Sequence, residues 1–258
     1  MKDHLRAALR AGRPVFGSWI QFGDLATAEI MASAGFDWLA IDLEHSAIDL
    51  GAAAALIQVV DLAGCVPLVR LSSNDPVQAA RVMDLGAAGI IVPSVRSAAE
   101  ARRAVEAVKY PPEGRRGVGL GRAHGYGARF AEYLRENAAG SIVIPMIEQV
   151  DGVDHVEEIL DVSGIDGVFI GPYDLSASCG VAGELNHPHV ASAMRRVVDA
   201  ARAKGKAAGI HVVHAPVTQV AERLAEGFRV VAYGGDMLFL TPAARQAVEQ
   251  LRSLRLHD

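Results

Sequence analysis

Eight short β-rich apolar runs, each followed by a longer stretch of helical period, fill a chain of 258 residues that has no linker or break in composition. That pattern predicts one α/β domain over residues 1–258, a (β/α)8 TIM barrel. The hydrophobic share of 51% is ample for such a core. Near-continuous apolar strands joined by helical crossovers imply a parallel sheet covered on its outside. Eight like units in succession favour closure over a doubly wound sheet.

The elements follow in order. The first strand is read at 15–20 in VFGSWI, with its helix at 24–34, and the second at 37–42 in DWLAID, with a helix at 51–62. VPLVR gives the third strand at 66–70, followed by a helix at 75–85, and GIIV the fourth at 89–92, followed by a helix at 97–108. The long stretch YPPEGRRGVGLGRAHGYG, 110–127, then interrupts the pattern, with a helix expected at 128–138. Strands at 141–146, 166–170, 207–212 and 229–232 complete the set, with helices at 150–160, 188–204, 215–226 and 236–252. AGFDW, LGAAG, VSGIDG and AEGFRV put glycine at four helix-to-strand joins, as helix C-caps require. A long loop in a compact domain is usually functional, so 110–127 is read as a lid or substrate-facing loop.

Composition narrows the partners. A formal net charge of −5 gives no electrostatic reason to expect nucleic acid or an anionic membrane, which leaves a small molecule. The N-terminal MKDHLRAALRAGRP is charged and amphipathic, and no apolar run approaches the ~18 residues of a membrane span, so a cytoplasmic protein is expected. Cys65 and Cys179 cannot make a disulfide framework and are read as reduced thiols.

Barrels of this kind carry their active sites at the C-terminal ends of the strands. The second strand ends in Asp42, Glu44 and His45, the third in Arg70, the fifth in Glu148 and Gln149, and the sixth runs into Asp174. Each alone could be a cap or an ion pair. Together they bring carboxylates, an arginine and a histidine from four distant strands to one end. Glu148 and Asp174 suit a hard divalent cation, Mg²⁺ or Mn²⁺, that keeps positions for water and substrate oxygens. Arg70 could hold a carboxylate or a developing oxyanion, and His45 has the pKa range for acid–base work. The lysines Lys2, Lys109, Lys204 and Lys206 all lie away from that end, which disfavours a Schiff base. Weaker signals are the pairs His211/His214 and His187/His189 as metal ligands, and YGGD at 233–236, either a phosphate turn or a helix start capped by Asp236.

GFDWLAIDLEH, PLVR, NDPVQ, MDLGAAGIIVP, YPPEGRRGVG, MIE and GIDGVFIGPYDLSAS, in that order over nearly the whole chain, resemble the metal-dependent class II pyruvate aldolases of the 4-hydroxy-2-oxoheptanedioate and 2-dehydro-3-deoxyglucarate aldolase family, in the phosphoenolpyruvate-binding barrel superfamily. The resemblance implies a divalent cation, Mg²⁺, Mn²⁺ or Co²⁺, and reversible cleavage to pyruvate and an aldehyde. It implies Glu148 and Asp174 as metal ligands, Arg70 as the enolate stabiliser and His45 as the acid–base residue. Asp42 and Asp84 are implied as partners orienting His45. Gly171, Pro172, Trp19 and Gln149 are implied to line the pyruvate pocket, although Gln149 stands where threonine is expected and Leu43 where glycine is frequent. Arg122, His124 and Tyr126, in a segment that varies among relatives, are expected to face the aldehyde. A homo-hexamer is implied, with a C-terminal helix packed on a neighbour. Two other readings stay open: a CoA-thioester lyase of the citramalyl or malyl type, and a non-catalytic barrel that binds a keto acid.

Overall fold

A computed structural model describes residues 2–213 and 216–254, the side chains of 2 and 136–139 excepted. Its strands are β1 (Val15–Ile20), β2 (Trp38–Asp42), β3 (Val66–Arg70), β4 (Gly89–Val92), β5 (Ile142–Ile147), β6 (Gly167–Ile170), β7 (Ala207–Val212) and β8 (Val230–Tyr233). They form a closed barrel in sequence order, and β8 pairs in parallel with β1. This is the predicted (β/α)8 TIM barrel.

The helices between them are α1 (Lys2–Arg10), α2 (Leu25–Ser33), α3 (Leu50–Leu62), α4 (Pro76–Asp84), α5 (Ala98–Val108), α6 (Phe130–Gly140), α7 (Val150–Asp154), α8 (Val156–Asp161), α9 (Pro172–Ser178), α10 (Pro188–Ala203), α11 (Val217–Glu226) and α12 (Asp236–Ser253). Asp24, Asp49, Asp75 and Ser97 each accept a backbone N–H in the first turn of α2, α3, α4 and α5, which fixes where those helices begin. At the opposite ends Gly35, Gly86, Gly164 and Gly227 all carry positive φ, between 96° and 110°, as the joins required. None of the described helices is long and apolar enough to cross a membrane.

Two elements differ from expectation. The helix read at 150–160 is broken at His155, which leaves the helical conformation at φ −105° and ψ 16° while its Nδ1 lies 2.8 Å from the Asp151 carbonyl. Straight after β6, α9 is an additional helix, started by Pro172, whose fixed φ suits a first turn.

Two hydrophobic cores follow from the alternation of side chains along each strand. Alternate strand residues, among them Trp38, Ala40, Leu68, Ile144, Met146 and Phe169, fill the barrel interior. Leu5, Ala8 and Leu9 of α1 join that interior core and close its N-terminal end. The other set, including Leu39, Ile41, Val69, Ile90 and Ile170, packs outward under the helices.

The loop 110–127 leaves a helix and enters a strand, so it lies at the N-terminal end of the barrel. There Arg122 Nη2 donates to Asp61 at 2.5 Å, and the two border a cavity of about 420 Å³ with Val66 and Ala88 at the strand starts. His124 is fully buried in this loop, its Nε2 2.8 Å from the Tyr110 hydroxyl and its ring 4.4 Å from that of Tyr133. Burial first, then the Arg116 charge, holds the His124 pKa below its ordinary value. Asp84, at the end of α4, accepts from Arg116 Nη2 at 2.5 Å. Within one chain, therefore, Arg122, His124 and Tyr126 do not face the βα loops and Asp84 does not reach His45. The direction of the connection places them at the opposite end of their own barrel.

Candidate active site

The same alternation builds the site. Continuing the inward-facing series Trp38, Ala40 brings Asp42 to the C-terminal mouth of the barrel, and Val66, Leu68 brings Arg70. Ile142, Ile144, Met146 leads to Glu148, and Phe169 to Gly171. Asp42 and Arg70 are register partners on neighbouring strands.

That register makes a two-pronged ion pair. Arg70 Nε donates to Asp42 Oδ1 at 2.8 Å and Nη2 to Oδ2 at 2.5 Å. Asp42, fully buried, also accepts from Gln21 Nε2 at 3.1 Å and from the N–H groups of Glu44 and His45 at 3.0 and 3.1 Å. Burial alone would raise its pKa, but the Arg70 hydrogen bonds and charge prevail and hold it below the usual carboxylate range. The guanidinium stacks 4.4 Å over the Trp19 ring and leaves Nη1 3.4 Å from Glu44. The Asp42 side chain thus positions Arg70 and the backbone of the His45 loop. The His45 ring itself is exposed, with Nε2 3.8 Å from Glu44 Oε2, and the contact from Asp42 to His45 runs through the backbone N–H.

Glu148 is buried, and its Oε1 accepts from both the N–H and the hydroxyl of Ser94, at 2.6 and 3.0 Å. Its Oε2 faces Gly171 so closely that a Cβ added there would meet it at 2.7 Å, which is why the position takes glycine. Burial raises the Glu148 pKa, the two Ser94 hydrogen bonds oppose the rise, and the charge of Asp174 in the first turn of α9 adds to it. Burial likewise raises Glu44, with Glu148 among the contributing charges.

Two adjoining cavities open on these groups. One, of about 330 Å³, is bordered by Glu44, Ser94, Glu148 and Gln149. The other, of about 290 Å³, is bordered by Trp19, Arg70, Met146, Phe169, Gly171 and Pro172, and both touch His45 and Asp174. The larger cavity at the N-terminal end is a weaker candidate despite its size, because its Arg122 and Asp61 already neutralise each other.

A cation has a place here. Among the described residues no set of three or more His, Cys, Asp or Glu side chains forms a closed metal cage. Glu148 Oε2 and Asp174 do offer carboxylate oxygens without a protein donor, in a spot where negative charge already raises a pKa. That donor set fits a hard divalent ion that keeps most of its coordination for water and substrate.

The structure brings Trp19, His45, Arg70, Glu148, Gln149, Gly171, Pro172 and Asp174 together at one mouth, with Asp42 bonded to Arg70 there, and adds Gln21 and Ser94, which the sequence reading did not name. His211 borders the second cavity and donates from Nε2 to the Gly234 carbonyl at 2.7 Å, whereas His214 lies outside the described residues. His187 accepts the His189 N–H at the start of α10 as a helix cap. Asp236 is no helix cap, since Gly235 occupies that position; its carboxylate instead accepts the N–H groups of Gln21 and Phe22 at 2.8 Å each.

A closed (β/α)8 barrel whose C-terminal mouth joins an anchored arginine to a pair of uncompensated carboxylates defines an enzyme that handles a small oxygen-rich acid. The sequence profile of the HpcH/HpaI aldolase/citrate lyase family matches residues 16–242, and the chain belongs to that family. It is 42% identical over 247 residues to a 4-hydroxy-2-oxo-heptane-1,7-dioate aldolase of Escherichia coli, covering 95% of this chain and 93% of that one. The protein of the same name from Salmonella paratyphi C is also 42% identical, over 95% of this chain and 92% of its own. The crystal structure of a family protein from Burkholderia cenocepacia superposes with a TM-score of 0.91 at 34% identity, covering 96% and 99% of the two chains. The chain is an aldolase, a carbon–carbon lyase.

Proposed function

We propose that this single-domain aldolase cleaves a 4-hydroxy-2-oxo acid reversibly to pyruvate and an aldehyde with the help of a divalent cation, Mg²⁺, Mn²⁺ or Co²⁺. The observation that carries the reading is the Glu148 and Asp174 pair beside Arg70, at an end of the barrel where none of the described lysine side chains lies. Lys109 follows α5, and Lys204 and Lys206 precede β7, so the described lysines of the barrel sit at the far end and an imine has no amine to form from. The curated relatives' names favour a dicarboxylic substrate.

Glu148 and Asp174 would hold the cation, which supplies positive charge to the oxygen that becomes negative as the carbon–carbon bond breaks. Arg70, fixed by Asp42 and bordering the cavity, is placed for the substrate carboxylate or enolate oxygen. Trp19, Met146 and Phe169 give an apolar floor for the three-carbon fragment and keep water from it. His45 removes the proton of the 4-hydroxyl, the C3–C4 bond breaks to release the aldehyde, and protonation at C3 completes pyruvate. Glu44 Oε2 lies 3.8 Å from the His45 Nε2.

A homo-hexamer is the assembly we propose. Its support is α12, which beyond Asp236 buries no described residue and presents Phe239, Leu240, Val248 and Leu251, with Leu254 just past its end. A cytoplasmic location agrees with the free thiols Cys65 and Cys179.

The test measures pyruvate release from a panel of 4-hydroxy-2-oxo acids by coupling to lactate dehydrogenase. Release with added Mg²⁺, Mn²⁺ or Co²⁺, reversible loss on chelation and no adduct trapped by borohydride are expected. Cleavage that resists chelation, or a trapped lysine, rejects the proposal.

A further inference from the structure

Ser94 stands two residues beyond β4 in a conformation that side chains seldom adopt, with φ at +54°. In that conformation its N–H and its hydroxyl converge on one atom, Oε1 of Glu148, at 2.6 and 3.0 Å. The next residue ties the same loop to β5, since the Val95 N–H donates to the Met146 carbonyl at 3.2 Å. On the other side of the carboxylate, Oε2 lies where a Cβ on Gly171 would come within 2.7 Å. Glu148 is therefore held at one oxygen by two donors and bordered at the other by bare backbone. Ser94 also borders the cavity that Asp174 shares.

We infer that Ser94 is a positioning residue that clamps Glu148 through Oε1, so that Oε2 alone is presented to the cation beside Asp174. The positive φ accompanies this clamp, in which the amide and the hydroxyl of one residue meet a single acceptor. The inference rests on the reading that Glu148 holds the metal. It adds that the orientation of that ligand is set by a hydroxyl in the loop after β4.

The test is the affinity of the metal-free protein for Mn²⁺, measured by calorimetry, in wild type, Ser94→Ala, Ser94→Gly and Glu148→Ala. Partners that orient a metal ligand contribute roughly 10–100-fold to affinity. Both serine variants keep the backbone N–H, so about tenfold weaker binding is expected in each. Glycine takes a positive φ without strain and alanine does not, so the metal-free Ser94→Gly protein should melt at a higher temperature than Ser94→Ala while binding Mn²⁺ equally weakly. That combination supports a hydroxyl clamp, which a merely structural serine would not give. Wild-type affinity in both serine variants, with binding lost in Glu148→Ala, overturns this inference and leaves the metal reading standing. Weak binding in Ser94→Ala alone assigns the effect to backbone strain and also overturns it. Undiminished binding in Glu148→Ala overturns both.

Discussion

Replacing Asp42 with alanine should destabilise the fold by about 3 kcal/mol, the lower end of the cost of breaking a buried ion pair. The Asp42 carboxylate is out of reach of water and accepts two N–H groups from Arg70, one from Gln21 and the backbone N–H groups of Glu44 and His45. Its removal strands a guanidinium that is only 9% exposed. Such losses run to about 3–5 kcal/mol. Arg70 retains Glu44 at 3.4 Å and the Trp19 face at 4.4 Å, which argues for the smaller figure. Urea unfolding at pH 7 gives the value, and a double-mutant cycle with Arg70→Met isolates the pair, with a coupling of about 2 kcal/mol expected. The pH dependence has a definite sign. Asp42 is held below its ordinary pKa, so its contribution is complete above the ordinary carboxylate range and fades as pH falls through the lowered folded value. The gap between wild type and Asp42→Ala should therefore close in acid. A loss below about 1 kcal/mol at pH 7, or a coupling indistinguishable from zero, would refute the reasoning that this carboxylate anchors Arg70.

His45→Ala should lower turnover by roughly 10²–10⁴ while Mn²⁺ affinity stays near wild type, and turnover close to wild type would remove His45 from the proton transfer. Glu148→Gln should make the metal-free protein more stable. Burial, with the Asp174 charge added, holds the Glu148 pKa above its ordinary value, so between those two values the folded state binds more protons than the unfolded one and stability falls as pH rises. An amide ends that ionisation and still accepts from Ser94, so a gain of roughly 1 kcal/mol at pH 7 is expected together with lost metal binding. A lower melting temperature than wild type in chelator at pH 7 would count against the raised pKa.

The barrel was legible because its strands are buried on both faces and read as apolar runs, and because aspartate or serine caps start the first βα helices. Asp42, Arg70, Glu148 and Asp174 were legible as polar residues closing such runs. Gln21 and His211 could have been found by counting inward phase, two residues on from Trp19 and Gly209, but neither interrupts an apolar run sharply enough to stand out. Ser94 left no pattern at all, since its role depends on a single turn of the backbone beyond the strand. The placement of 110–127 was available from the order of elements, because a segment between a helix and the next strand must lie at the N-terminal end. Within one chain, that order puts Arg122, His124 and Tyr126 at the end opposite the βα loops.

Perturbed ionisation alone would not have located the site. At the N-terminal end Arg6, Asp166 and Lys109 are buried, and burial also lowers the pKa of Lys109 and of Lys206. By that measure the floor of the barrel rivals the mouth. The difference is what each end does with its charge. On the floor Arg6 Nε meets Asp166 at 2.8 Å, Asp166 also accepts the Val143 N–H, Lys206 donates to the Ile165 carbonyl, and α1 closes over the group. Cations outnumber the one carboxylate there, but α1 covers the group, which is how a fold ends a barrel. At the mouth Glu44, Glu148 and Asp174 stand around one arginine that Asp42 already occupies, and two cavities keep them open. A closed structural cluster has no reason to leave carboxylates in excess beside solvent, since each raises the cost of ionising the next. The excess makes sense if a cation and a carbonyl substrate complete it. The chemistry is therefore assigned to the C-terminal mouth by unbalanced charge in an accessible place, and not by burial.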